Sequence, residues 1–192
     1  MHNLQLSDYV KIYNDVANKA LINSLLKMIY EKGKFKKAGT YDENGNVLYE
    51  DEIRNVEGFF FEEELIDSVA KRVVHNKLLE LTSNIVEKYS AEIPFAGKSL
   101  QKVSFQFLNY SSENKGHYVW HTDANTKAPR FHTIILGLNS EYEGGELFVL
   151  NEKINIKLQV NQAIVFPSNF CFPHKVNPVL SGNRKVLVIW IN

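Results

Sequence analysis

The sequence predicts a mainly β fold with flanking helices and a sandwich or jelly-roll core. Three observations carry this. Helical periodicity is confined to the first hundred residues. From Lys102 onward the pattern changes to short alternating runs broken by turn signals. The four residues best suited to chemistry, His121, Asp123, His174 and Arg184, all fall in that second, strand-rich part.

Residues 1–100 read as mixed helix with some strand, a support for the core. From Asn18 to Tyr30, Leu21, Ile22, Leu25, Leu26 and Ile29 recur at helical spacing. A second helix is predicted from Glu62 to Tyr89, with Leu65, Ile66, Val69, Val73, Val74, Leu78, Leu81, Ile85 and Val86 on its apolar face. Glu62, Glu63 and Glu64 would open it favourably for the helix dipole. Between the helices, Asn44-Gly45 suits a tight hairpin, so residues 37–56 form a loop or a β-ribbon. In residues 101–192 Val103, Phe105 and Phe107 alternate with polar residues, the mark of a half-buried strand. Further strands are expected near 116–121, 131–138, 145–150, 154–160, 162–166, 173–179 and 184–191. Gly144-Gly145, Asn161-Gln162 and Ser181-Gly182-Asn183 punctuate them. Short strands with turns every few residues indicate a sandwich or jelly roll. No repeat or linker divides the 192 residues, so one domain is expected.

Lys+Arg and Asp+Glu are 22 each, a formal net charge of zero. That argues against a general polyanion binder such as a nucleic-acid protein, whose affinity comes largely from phosphate contacts. Lys32, Lys34, Lys36 and Lys37 form a short basic run, ordinarily a solvated face but able to touch phosphate or an acidic peptide. Cys171 is the only cysteine, which precludes an intrachain disulfide. It reads as a small buried residue rather than a catalyst. The N-terminus carries no apolar run, so neither a signal peptide nor a membrane span is expected. A soluble, cytoplasmic protein is the expectation.

His121 and Asp123 are two apart, so on a strand both point to one face and can share one ion. His174, from a distant strand, would complete a set of two imidazoles and one carboxylate. This is the facial ligand set of non-haem Fe(II), with open positions for substrates. A His-x-Asp pair alone is more often structural; the added His174 and Arg184 reverse that balance. His2, His75, His117 and His132 receive no role. Arg184 offers the planar fork that pairs with a carboxylate. If Pro178 to Asn183 reverses the chain, strands 173–179 and 184–191 form a hairpin. Arg184 would then lie roughly 17 Å from His174 along the ladder, at ~3.3 Å per residue. Lys185 would face solvent.

Around these residues stand Tyr110, Gly116-His117-Tyr118-Val119-Trp120-His121-Thr122-Asp123, Leu138-Asn139, Glu143-Gly144-Gly145-Glu146-Leu147, Phe166-Pro167-Ser168, Pro173-His174-Lys175-Val176, Pro178-Val179, Gly182-Asn183-Arg184 and Trp190. In order and spacing they resemble the iron(II)/2-oxoglutarate dioxygenase superfamily, in its prolyl-4-hydroxylase-like branch. The resemblance implies a double-stranded β-helix with Fe(II) at His121, Asp123 and His174. It implies 2-oxoglutarate chelating the iron, with Arg184 on its far carboxylate. Tyr110 matches a position whose hydroxyl can touch 2-oxoglutarate; its other reading is core packing. The resemblance also implies O2 as the co-oxidant, and ascorbate is the reductant such an enzyme could use. Two departures stand out. Gly137 occupies the place where some animal relatives carry a second cosubstrate-binding tyrosine, and Arg184 stands where collagen-type enzymes carry lysine.

The resemblance favours hydroxylation of a prolyl residue of a protein or peptide, with free amino acids, other small molecules and nucleobases as the alternatives. Three further classes stay open on the residues alone. They are a non-catalytic or degenerate metal-binding jelly roll, a zinc hydrolase, for which Arg184 has no use, and a carbohydrate or protein binder.

Overall fold

The structure is a computed structural model describing residues 4–32, 35–41, 46–61, 69–93, 96, 102–124 and 129–192. A 3-10 turn (Leu6–Tyr9), β1 (Lys11–Tyr13) and α1 (Lys19–Lys32) open the chain. Five short strands follow: β2 (Lys36–Lys37), β3 (Thr40–Tyr41), β4 (Val47–Leu48), β5 (Arg54–Asn55) and β6 (Glu57–Phe60). After α2 (Val69–Glu92) come β7 (Val103–Ser111), β8 (His117–His121), β9 (His132–Gly137), β10 (Tyr142–Gly144) and β11 (Leu147–Val149). The chain ends with β12 (Ile154–Ile156), β13 (Ala163–Pro167), β14 (His174–Val176) and β15 (Val179–Ile191).

Among the described residues, eight strands make the larger sheet, in the order β1-β13-β9-β15-β7-β6-β2 with β10 added on β15. The smaller sheet runs β12-β11-β14-β8-β5. A ribbon of β3 and β4 stands apart within residues 37–56; the Asn44-Gly45 turn lies outside the described residues. The two antiparallel sheets and bracing helices form a double-stranded β-helix, as expected.

Side-chain alternation on the larger sheet sorts the core into two layers. Phe105, Phe107, Ile134, Leu136, Ala163, Val165, Leu187, Ile189 and Ile191 face the helices and pack on Leu25, Leu78, Ile85 and Tyr89. Leu108, Tyr110, Ile135, Ile164, Phe166, Val186, Val188 and Trp190 face the smaller sheet. Arg184 shares the parity of Val186 and is turned inward between the sheets, where it is 1% exposed. Lys185 takes the opposite face, as expected, though it is half-buried.

Both predicted helices form. The first is close to its predicted bounds. The second runs three residues past Tyr89, while its predicted start at Glu62–Glu64 lies outside the described residues. The predicted hairpin of 173–179 with 184–191 does not form. β14 pairs with β8 and β11, whereas Val179–Ile191 is one strand of the other sheet. Asn177-Pro178 therefore crosses between sheets. The Ser181-Gly182 step looks like a turn in sequence but finds a partner in β10, which alternation did not reveal; Gly182, at φ +73°, absorbs the bend. His174 and Arg184 consequently face each other across the sandwich, a spacing of about 10 Å between sheets rather than a long ladder. Cys171 is only half-buried, at the edge of the inner core.

Candidate active site

His121 ends β8, Asp123 follows two residues later and His174 opens β14, paired directly with His121. One ligand atom from each lies within 4.8 Å of the others. The His121 and His174 Nε2 atoms are 3.8 and 3.5 Å from the two Asp123 carboxylate oxygens. Each imidazole is oriented by its own chain: Nδ1–H donates to the Val119 carbonyl in His121 (2.8 Å) and to the Phe172 carbonyl in His174 (3.2 Å). A carbonyl only accepts, so the proton sits on Nδ1 and both Nε2 lone pairs aim at the gap.

Asp123 is tied to the larger sheet. The buried Thr133 hydroxyl donates to its Oδ2 at 2.6 Å, and Thr133 in turn accepts from Ser168 Oγ at 2.8 Å, since its single proton is already used. Burial alone would raise the Asp123 pKa; the adjacent His174 and His121, the Thr133 hydroxyl and Arg130 outweigh it and hold the carboxyl at about 2. Burial, then the neighbouring His174, pushes the His121 imidazole well below its usual value. An ionised carboxylate and a neutral imidazole are the states a divalent ion needs. Tyr118 stacks on His121 with ring centroids 3.4 Å apart, and burial pushes its phenol up to about 12.

The triad opens into a cavity of about 610 Å³ between the sheets. Arg184 enters it from β15, opposite Tyr110 of β7. Its guanidinium carbon is 4.9 Å from the Tyr110 ring centroid. All three guanidinium nitrogens are buried, and among the described residues none reaches a carboxylate. The Tyr142 hydroxyl, which donates to the Leu158 carbonyl, is the neutral oxygen beside it. Gly145 (φ +65°) makes room for the arginine stem: a Cβ there would come within 3.0 Å of Arg184 Cδ. A buried guanidinium without a counter-charge is costly, and a ligand carboxylate would supply it. The donor set and this orphaned guanidinium fit Fe(II) with 2-oxoglutarate.

The structure thus brings together His121, Asp123, His174, Arg184 and Tyr110, with Tyr118 and Trp190 on the same cavity. It leaves His117 outside, bonded to the Lys115 and Glu52 carbonyls, and puts His75 and His132 against aromatic rings near the helices. Gly137 admits no side chain, because a Cβ would meet the Gln159 carbonyl at 2.2 Å. Thr133, Arg54 and Arg130 were missed. Arg130 lies 3.7 Å over the Trp190 ring and donates to the Asp123 carbonyl. Ser168 was visible inside Phe166-Pro167-Ser168, but nothing in the sequence tied it to Thr133.

This fold and triad define an Fe(II)/2-oxoglutarate oxygenase site. Residues 105–192 match the 2OG-Fe(II) oxygenase superfamily. Among curated relatives, a PKHD-type hydroxylase of Prochlorococcus marinus (strain MIT 9515) is 30% identical over 138 residues, 65% of this chain and 62% of that one. A PKHD-type hydroxylase of Colwellia psychrerythraea is 36% identical over 107 residues, 50% of this chain and 47% of that one. The chain therefore spans less than two thirds of either relative. A prolyl hydroxylase from Trichoplax adhaerens, solved with a peptide fragment of the hypoxia inducible factor oxygen degradation domain, superposes with a TM-score of 0.73 at 17% identity, covering 96% of this chain and 84% of that one. A Pseudomonas putida prolyl-4-hydroxylase gives 0.69 at 18% identity, covering 96% and 92%. At these identities the structural likeness speaks for the fold. No helix among the described residues is long and apolar enough to cross a membrane.

Proposed function

We propose that the protein is an Fe(II)- and 2-oxoglutarate-dependent dioxygenase that hydroxylates a C–H bond, releasing succinate and CO2. The observation that carries this is Arg184, a fully buried guanidinium with no carboxylate partner among the described residues, across the sandwich from a two-histidine, one-carboxylate cluster. His121, Asp123 and His174 hold the metal. Arg184 takes the distal carboxylate of 2-oxoglutarate, and Tyr110 lines the same end. Bound iron and 2-oxoglutarate supply the oxidising chemistry from O2. The chain supplies placement: Nδ1 bonds aim the imidazoles, Thr133 and Ser168 fix the carboxylate, and the apolar wall of Val186, Val188 and Trp190 limits water. The substrate class is a prolyl residue of a protein or peptide, supported by the names of the hydroxylase relatives and by the peptide complex of the Trichoplax enzyme. Ascorbate would keep the iron reduced, and the lone cysteine suits a cytoplasmic setting.

Anaerobic titration with Fe(II) and then 2-oxoglutarate tests this reading. The expected result is the visible charge-transfer band of a chelated keto acid, lost in Asp123→Ala and weakened in Arg184→Ala. A folded protein that gives no band would belong to the non-catalytic metal-binding alternative.

A further inference from the structure

One wall of the cavity carries a positive charge that neither the metal triad nor 2-oxoglutarate uses. Arg54, on β5 at the edge of the smaller sheet, is only 8% exposed. Its Nη1 donates to the Gly39 carbonyl at 2.8 Å. Its Nη2 reaches Gln106 Oε1 only at 3.5 Å, and its buried Nε has no hydrogen-bond partner among the described residues. The guanidinium lies 4.7 Å over the ring of Tyr118, the residue stacked on His121. Among the described residues no carboxylate pairs with it. Nearby Lys37 is matched by Asp51, and Asp123 is committed to the two histidines and Thr133.

The imbalance is local. The described cavity-lining residues include Lys36, Lys37, Arg54, Arg130 and Arg184 against a single carboxylate, Asp123, in a chain whose charges cancel. Arg54 and Arg184 also serve different ends of the cavity. Gln106, which Arg54 touches, pairs with Val188, while Tyr110 pairs with Arg184. Four residues of ladder separate these levels, roughly 13 Å at ~3.3 Å per residue. A five-carbon diacid lodged between the triad and Arg184 does not extend to Arg54. The unpartnered Nε and the weakly held Nη2 form one edge of the guanidinium, the edge that grips a carboxylate with two parallel bonds. A buried guanidinium lacking a counter-charge is costly, and an acidic ligand removes that cost.

Building on the oxygenase reading of this site, we propose that Arg54 binds a carboxylate of the prime substrate, so that the enzyme selects acidic molecules. The carboxylate belongs either to a small free acid or to an acidic side chain beside the hydroxylated residue of a peptide.

The test loads the protein with Mn(II) and 2-oxoglutarate, which permits binding without turnover, and titrates two matched probe pairs by calorimetry. The pairs are N-acetyl-L-proline against N-acetyl-L-prolinamide, and acetyl-Glu-Pro-amide against acetyl-Gln-Pro-amide. The expected result is that the acid of at least one pair binds about tenfold or more tightly than its amide. Arg54→Gln brings the two within about twofold, and Arg54→Lys keeps part of the preference, because charge remains without the fork. A preference confined to the first pair identifies a small acid; one confined to the second identifies an acidic peptide. Equal binding of acid and amide in both pairs, no binding by either acid, or a preference that survives Arg54→Gln overturns the proposal. Should Arg54→Gln fail to fold, the wild-type preference and the Arg54→Lys variant decide. The Fe(II)/2-oxoglutarate band is recorded first. Its absence from wild type would remove the oxygenase reading, whereas an intact band without acid preference removes Arg54's role alone.

Discussion

The two sheets that enclose the cavity hold their functional side chains by different means. On the larger sheet, β15 and β7 share nine consecutive paired positions, and Arg184 and Tyr110 are fixed inside that ladder. On the smaller sheet, β8 and β14 pair only at His121–His174 and Tyr118–Val176, with a register shift between them. The metal-facing histidines there rely on hydrogen bonds to carbonyls two residues back. Asp123 links the two systems through Thr133. The Arg184 end of the cavity is thus set by packing whether or not a ligand is bound. The triad end is set by a few local bonds, which a bound ion would complete.

Breaking the link gives the largest effect. Asp123→Ala removes the only carboxylate of the triad and leaves two imidazoles. Stoichiometric Fe(II) binding should be lost, measured by metal analysis after gel filtration; retained iron would take Asp123 off the ligand set. Arg184→Ala attacks the other side of the comparison. Loss of one partner of a buried charge pair costs about 2–5 kcal/mol, so 2-oxoglutarate should bind roughly thirtyfold more weakly or worse, while Fe(II) affinity stays near wild type. An unchanged 2-oxoglutarate requirement would remove Arg184 from that role.

Metal addition sharpens the contrast directly. An ion at about 100 times its Kd stabilises the form that binds it by about 2.7 kcal/mol. Because the histidine strands have the weaker ladder, hydrogen exchange in 117–121 and 174–176 should slow far more on adding Mn(II) than exchange in 103–111 and 179–191. Equal slowing everywhere would mean that the smaller sheet is as rigid as the larger one without metal.

The sequence revealed the triad and Arg184 because their chemistry is rare: ionisable residues at strand spacing, in a stretch otherwise rich in apolar alternation. It placed them in the right half but gave the wrong route between them. Ser181-Gly182-Asn183 has the composition of a turn, and only the presence of β10 turns that bend into a strand. The short β10 has no alternation of its own to read, and β5 is a two-residue edge. Arg54 and Thr133 were invisible for a related reason. A lone arginine or threonine acquires meaning only from what folding brings beside it, here Tyr118 in one case and Asp123 with Ser168 in the other.

Thr133→Val tests that hidden support. The substitution keeps the shape, strands the Ser168 hydroxyl and removes a bond from Asp123. Partners that orient a metal ligand are typically worth 10–100-fold in metal affinity, so Fe(II) binding should weaken by about tenfold, with 2-oxoglutarate affinity following only through the metal. The Asp123 carboxyl should also become easier to protonate, because the Thr133 bond is one of the interactions holding its pKa down. The carboxylate-dependent metal binding is present above the Asp123 pKa and lost as pH falls through it, so the acid limb of the binding curve should move to higher pH. A limb that does not move would show that the two histidines and Arg130 suffice to hold the carboxylate ionised.

Tyr110→Phe separates the two readings of the larger sheet with the smallest expected change. The ring stays to pack against Arg184, so the cation–π contact and the inner core persist, and only the hydroxyl is lost. If that hydroxyl bonds 2-oxoglutarate, the loss costs about 0.5–1.5 kcal/mol, a few-fold rise in the 2-oxoglutarate concentration needed for half-saturation, with the melting temperature unchanged. If Tyr110 is a packing residue, titration of the charge-transfer band will give the wild-type value. In that case the buried carboxylate end rests on Arg184 alone, and the larger sheet contributes a frame and one charge.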